Sequence, residues 1–103
     1  NFKISIMATK ELISITTFCE SHEIELSFAD AIRETGLVQF TKIENEFYME
    51  SEQVGDMEKY VHLYYDMDIN VEGIETISHL LQKISALQEE MNYLKNKLRL
   101  LED

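Results

Sequence analysis

Eight apolar residues, Ile77, Leu80, Ile84, Leu87, Met91, Leu94, Leu98 and Leu101, follow one another at alternating steps of three and four. That spacing averages half a heptad, so on a helix all eight fall along one stripe that only another helix can cover. The stripe therefore predicts a long C-terminal helix over residues 71–103, a coiled-coil arm, and a homodimer. Ile84, Leu87, Met91, Leu94, Leu98 and Leu101 are the expected dimerisation residues. With Ile77, Ile84, Met91 and Leu98 at a and the leucines at d, the e column runs Ile74, Leu81, Gln88, Lys95 and Glu102. Up to Leu87 the stripe is wide, as packing on a globular head requires; beyond Gln88 it narrows to a and d. The g column, Lys83, Glu90 and Lys97, gives attractive pairs in a parallel dimer and in the antiparallel registers that pair Glu90 with Lys97 or with Lys83, but not in the one centred on Glu90. Charge alone leaves the orientation open.

What the arm is attached to must be small. The chain has 103 residues, which leaves residues 10–70 for a compact head. Residues 1–9 are read as an N-terminal extension or a strand, since Phe2, Ile4 and Ile6 alternate with polar neighbours and Met7 follows. The net charge is −11. Residues 1–70 carry five basic and fourteen acidic side chains, and residues 71–103 carry four and six, so the acid belongs to the head. Such a surface repels phosphate backbones and anionic membranes and complements a basic protein. Cys19 is the single cysteine, which excludes an intramolecular disulfide framework, and no apolar run approaches the roughly 20 residues of a membrane span. A reducing cytoplasm is the expected setting.

Proline is absent, so capping residues and changes of period must mark the elements. Leu12 to Ile15 reads as a short extended segment, and Thr16 or Thr17 as the cap of a brief helix holding Phe18, Cys19 and His22. Ser27 is the expected cap of a second helix with Phe28, Ala31 and Ile32 on one face and Gly36 as its left-handed end. Residues 37–43 alternate with period two, Glu44-Asn45-Glu46 turns, and Phe47-Tyr48-Met49 returns as a hairpin. A third helix is expected from Ser51 to about Asp66, with Val54, Met57, Val61 and Tyr64 inward and Tyr60 or Tyr65 near its end. Asp68-Ile69-Asn70 breaks it, and Asn70 caps the long helix. The fold class is thus mainly α with a small β-hairpin. The order of elements is that of a winged helix-turn-helix head followed by a dimerisation helix.

Several segments fit one family. Ile13-Ser14-Ile15, Phe18-Cys19, Ile24, Phe28 and Gly36-Leu37-Val38, then Asp68-Ile69-Asn70-Val71-Glu72-Gly73-Ile74-Glu75 and the leucine-rich helix, resemble the CbpM chaperone modulators, a MerR-like family. The resemblance covers roughly residues 10 to 100. It implies an adaptor that binds the J-domain of a DnaJ-like co-chaperone of the CbpA type and restrains its stimulation of DnaK. It also implies an antiparallel dimer. The competing reading is a MerR-like transcriptional regulator that binds DNA as a dimer. In the DNA-binding relatives the second helix carries an arginine that meets a phosphate, followed by an aromatic pair. Here those positions hold Asp30, Ala31 and Ile32, and the hairpin tip has Glu44 and Glu46 where those relatives carry an arginine. DNA is accordingly disfavoured.

Three acidic surfaces are candidates for meeting a basic partner, and the sequence does not rank them. One is the second helix and its approach, with Glu23, Glu25, Asp30 and Glu34; another is the hairpin, with Glu44 and Glu46; the last is the joint, with Asp66 and Asp68. Charge runs are usually just solvated faces. J-domains, with their basic second helix, give these acids a use. Cys19 and His22 are too few for zinc, and Cys19 is expected as a buried apolar group. With no nucleophile–base set, phosphate loop or ligand cluster, neither an enzyme nor a cofactor is expected.

Overall fold

The computed structural model describes residues 11–102; the extension or strand expected at residues 1–9 lies outside them. The chain divides into two compact units, one ending at Val71 and the other starting at Glu72.

The first unit is built on a three-stranded antiparallel sheet in the order β1-β3-β2. Strand β1 (Leu12–Ser14) pairs with β3 (Glu46–Glu50), and β2 (Thr41–Ile43) flanks β3 on its other side. The extended segment expected at Leu12 to Ile15 is β1, and its pairing with β3 makes the expected hairpin a three-stranded sheet. Its turn is the two residues Glu44 and Asn45, both with positive φ (48° and 67°), the geometry that matches the twist of paired strands; Glu46 is already in β3. Of the alternating run at 37–43 only Thr41–Ile43 is strand.

Helix α1 (Ile15–His22) begins at Ser14, whose hydroxyl accepts from the Thr17 backbone N–H, so the cap lies just ahead of Thr16 and Thr17. It ends at Glu23, in the left-handed region at φ 55°. Helix α2 (Leu26–Thr35) starts one residue before Ser27, with Glu25 at the cap position and no side-chain cap bond. The Ser27 hydroxyl instead donates to the Glu25 carboxylate at 3.2 Å. Its buried residues are Phe28, Ala29 and Ile32, with Ala31 half-buried. Gly36 closes the helix at φ 80° and returns its N–H to the Arg33 carbonyl. Phe18, Phe28, Ile32, Val38, Met49 and Met57 form the centre of the head's core, all with under 5% exposure.

A turn of 3-10 helix (Ser51–Gln53) leads into α3 (Val54–Val61), which buries Met57 and Tyr60. The next residues, His62–Asp66, form a wider π turn, closed by the Met67 N–H on the His62 carbonyl. An inserted residue shifts the face that a 3.6-residue period would keep inward. Hence Tyr64, expected inward, is exposed, whereas Tyr60, ahead of the π turn, is buried. Asp68, at φ 56°, turns the chain toward the last helix.

The second unit is the helix α4 (Val71–Glu102), 32 residues without a break and about 48 Å long. Ile74 and Ser78 are its buried residues, and every described residue from His79 onward is exposed. The a and d side chains are no exception, with Leu87 at 62% and Leu101 at 83% exposure, and Leu81 at e is equally open. From Leu80 onward the stripe faces solvent, whereas Ile74 is buried and Ile77 half-buried.

Candidate functional site

The three acidic surfaces differ in what already holds them. On the hairpin, Glu46 is half-buried and accepts two hydrogen bonds, from the Ser14 hydroxyl at 2.6 Å and the Tyr48 hydroxyl at 3.4 Å. The same Ser14 oxygen caps α1, so Glu46 ties the sheet to the helix start. Its charge raises the pKa of the Tyr48 phenol, followed by burial, the Tyr48–Glu46 hydrogen bond and the charge of Glu44. Glu44 itself stands exposed at the turn. At the joint, Asp66 meets the His62 Nδ1 at 2.7 Å, while Asp68 lines a surface hollow with Tyr64, Tyr65, Ile69 and Asn70.

The outer face of α2 is different. Burial of Phe28, Ala29 and Ile32 turns Leu26, Ser27, Asp30 and Glu34 outward, and all four are exposed. Asp30 has only a loose neighbour, the Arg33 Nε at 3.8 Å, and Glu34 has no hydrogen-bond or ion-pair partner among the described residues. Asp30 and Glu34 are one turn apart, and their repulsion costs a few tenths of a kcal/mol that an opposed positive surface would recover. Glu23 is exposed at the end of α1, and Glu25 is positioned by its backbone N–H, which donates to the Tyr65 hydroxyl at 3.0 Å. Asp30 also reaches inward electrostatically: burial first, and Asp30 second, push the Cys19 thiol above its ordinary pKa. Cys19 is buried, as expected, and among the described residues no three His, Cys, Asp or Glu side chains gather as a metal site.

Sequence reasoning overlooked Leu26, which puts an apolar side chain at 52% exposure on this acidic face. It also overlooked Phe47. The Arg33 guanidinium lies 4.9 Å above the Phe47 ring, and the Lys42 ammonium lies 5.8 Å from the same centroid. No local period signals a ring shared by two cations from separate elements. The remaining described cation of the head, Lys59, stands 3.8 Å from Asp56.

A family model described as MerR HTH family regulatory protein matches residues 13–96, from β1 through most of α4. The chain belongs to this MerR family. No curated protein and no solved structure matches it. In this MerR head the cations of the second helix and the hairpin, Arg33 and Lys42, converge on Phe47, while the carboxylates of Asp30, Glu34 and Glu44 are exposed. No described helix is long and apolar enough to cross a membrane.

Proposed function

We propose that this MerR-family chain is a non-catalytic cytoplasmic adaptor: a homodimer paired through α4 whose acidic head binds the J-domain of a DnaJ-like co-chaperone and inhibits its stimulation of DnaK. The observation that carries this reading is the placement of Arg33. It is the only cation on α2, its Nε is buried without a hydrogen bond, and its guanidinium stacks on Phe47, leaving Asp30 and Glu34 to define the outer face. A helix so charged repels a phosphate backbone and attracts a basic protein helix. The resemblance to CbpM narrows that basic protein to a J-domain. Between the three acidic surfaces, α2 is favoured because Glu46 and Asp66 already have partners within the head. The exposed stripe from Leu80 to Leu101 supports pairing with a second copy, and the resemblance to CbpM implies the antiparallel arrangement.

Family membership also supports a second reading, a transcriptional regulator that binds DNA as a dimer. Calorimetric titration with a purified J-domain, run beside a DNA mobility-shift assay, separates the two. The adaptor reading expects J-domain binding that weakens with salt and falls about tenfold in Asp30→Lys and in Glu34→Lys, with no DNA shift. A DNA shift without J-domain binding would overturn it in favour of the regulator.

A further inference from the structure

The hollow at the end of α3 has a more particular construction than the acidic faces. The rings of Tyr64 and Tyr65 meet at 71° with centroids 4.9 Å apart, and both rest on Phe28, at 4.5 Å and 5.5 Å. Phe28 is buried at 4% exposure, whereas Tyr64 and Tyr65 are 36% and 38% exposed, so the two tyrosines stand against a buried ring and line the hollow together with Asp68, Ile69 and Asn70. The π turn His62–Asp66 is what brings two consecutive tyrosines to the surface together. The Tyr65 hydroxyl is pinned by the Glu25 N–H at 3.0 Å, which holds that ring and joins the hollow to the start of α2. Asp68 completes the lining with a carboxylate, and its neighbour Asp66 is taken by His62.

We infer that this corner is a receptor for one lysine or arginine side chain of the head's protein partner. Two aromatic rings set near a right angle offer their negative faces to a cation, and a carboxylate at the rim supplies the counter-charge. The alkyl stem of the same side chain covers apolar ring surface, which a small inorganic cation cannot do. An anionic group is repelled by Asp68. Because the hollow adjoins the start of α2, a basic helix docked on the acidic face can reach it with one residue. The inference rests on the adaptor reading for the identity of the partner, but not for the chemistry of the side chain.

The test uses the full chain, with Tyr64→Leu, which keeps apolar contact with Phe28 but removes a ring face, and Asp68→Asn, which removes the charge while tolerating a left-handed backbone. Circular dichroism establishes that each variant is folded. J-domain affinity is expected to fall about five- to thirtyfold in Tyr64→Leu, about threefold in Asp68→Asn, and by less than twofold in Tyr64→Phe, which keeps the ring. If the wild type binds the J-domain and both folded variants bind equally well, the receptor is overturned and the adaptor reading stands. If the wild type does not bind a J-domain, the adaptor reading fails. The hollow is then judged by titration with an acetylated, amidated tri-lysine peptide. Amide shifts centred on Tyr64, Tyr65 and Asp68, lost in Tyr64→Leu, would uphold it, and their absence would overturn it.

Discussion

The head and the arm treat their apolar residues in opposite ways. In the head, residues from β1, α1, α2, β3 and α3 bury one another, and Ser14, Glu46, His22 and Glu58 hold the elements together through hydrogen bonds between sequence-distant side chains. The arm repeats an apolar residue every three or four positions and covers none of them from His79 onward. An apolar stripe of this period is the kind that a second helix covers in a coiled coil. The head thus covers its own apolar residues, whereas the arm leaves a stripe of them exposed, as the proposed pairing of two copies requires.

The sharpest way to break this contrast is Leu94→Glu combined with Leu98→Glu. Removing two leucines from a covered seam costs the assembly about 3–6 kcal/mol. Sedimentation velocity should show monomers at concentrations where the parent is dimeric, while the near-ultraviolet circular dichroism of the head persists. A dimer that survives would move the interface off the arm. The converse substitution is Met57→Ala. Met57 is fully buried, so its loss should cost about 2–5 kcal/mol of head stability in urea unfolding. If association through the arm is independent, the dimer should remain while the protein is folded.

The smallest effect is expected on raising the pH. Both Cys19 and Tyr48 have folded-state pKa values above their ordinary 9.0 and 10.0, for the causes given above. A raised value means that the unfolded chain gives up its proton first. The stabilisation is complete below the ordinary values and is lost as pH rises through the raised ones. The thermal midpoint of the head should therefore decline above about pH 9, and Cys19→Ala should blunt that decline. A head as stable at pH 11 as at pH 8 would contradict this.

Much of this contrast was legible before the structure. The heptad stripe gave α4 nearly to its last residue, Gly36 marked the end of α2, and the break at residues 68–70 separated head from long helix. These are signals carried by local period and by single residues with strong backbone preferences. What was missed depends on neighbours remote in sequence. The pairing of β1 with β3 and the Ser14–Glu46 bond join residues 32 positions apart. The Arg33–Phe47 stack is likewise invisible to any helical or strand period. The π turn defeated the inward assignment of Tyr64 because a 3.6-residue template has no place for an inserted residue. Of the candidate acids, the sequence supplied the residues but not which were already engaged. The His62–Asp66 pair, at a spacing of four, and the looser Asp30–Arg33 pair, at three, were readable in principle.

Glu23 and Glu44 both sit at positive φ, where a side chain with a Cβ is disfavoured by roughly 1 kcal/mol relative to glycine. Mutation to glycine at either place would lose a carboxylate and relax the backbone at once. Drift toward stability and drift toward neutrality therefore run in the same direction at these two turns. A library selected for heat resistance alone should shed these charges first, while one selected for partner capture should keep them.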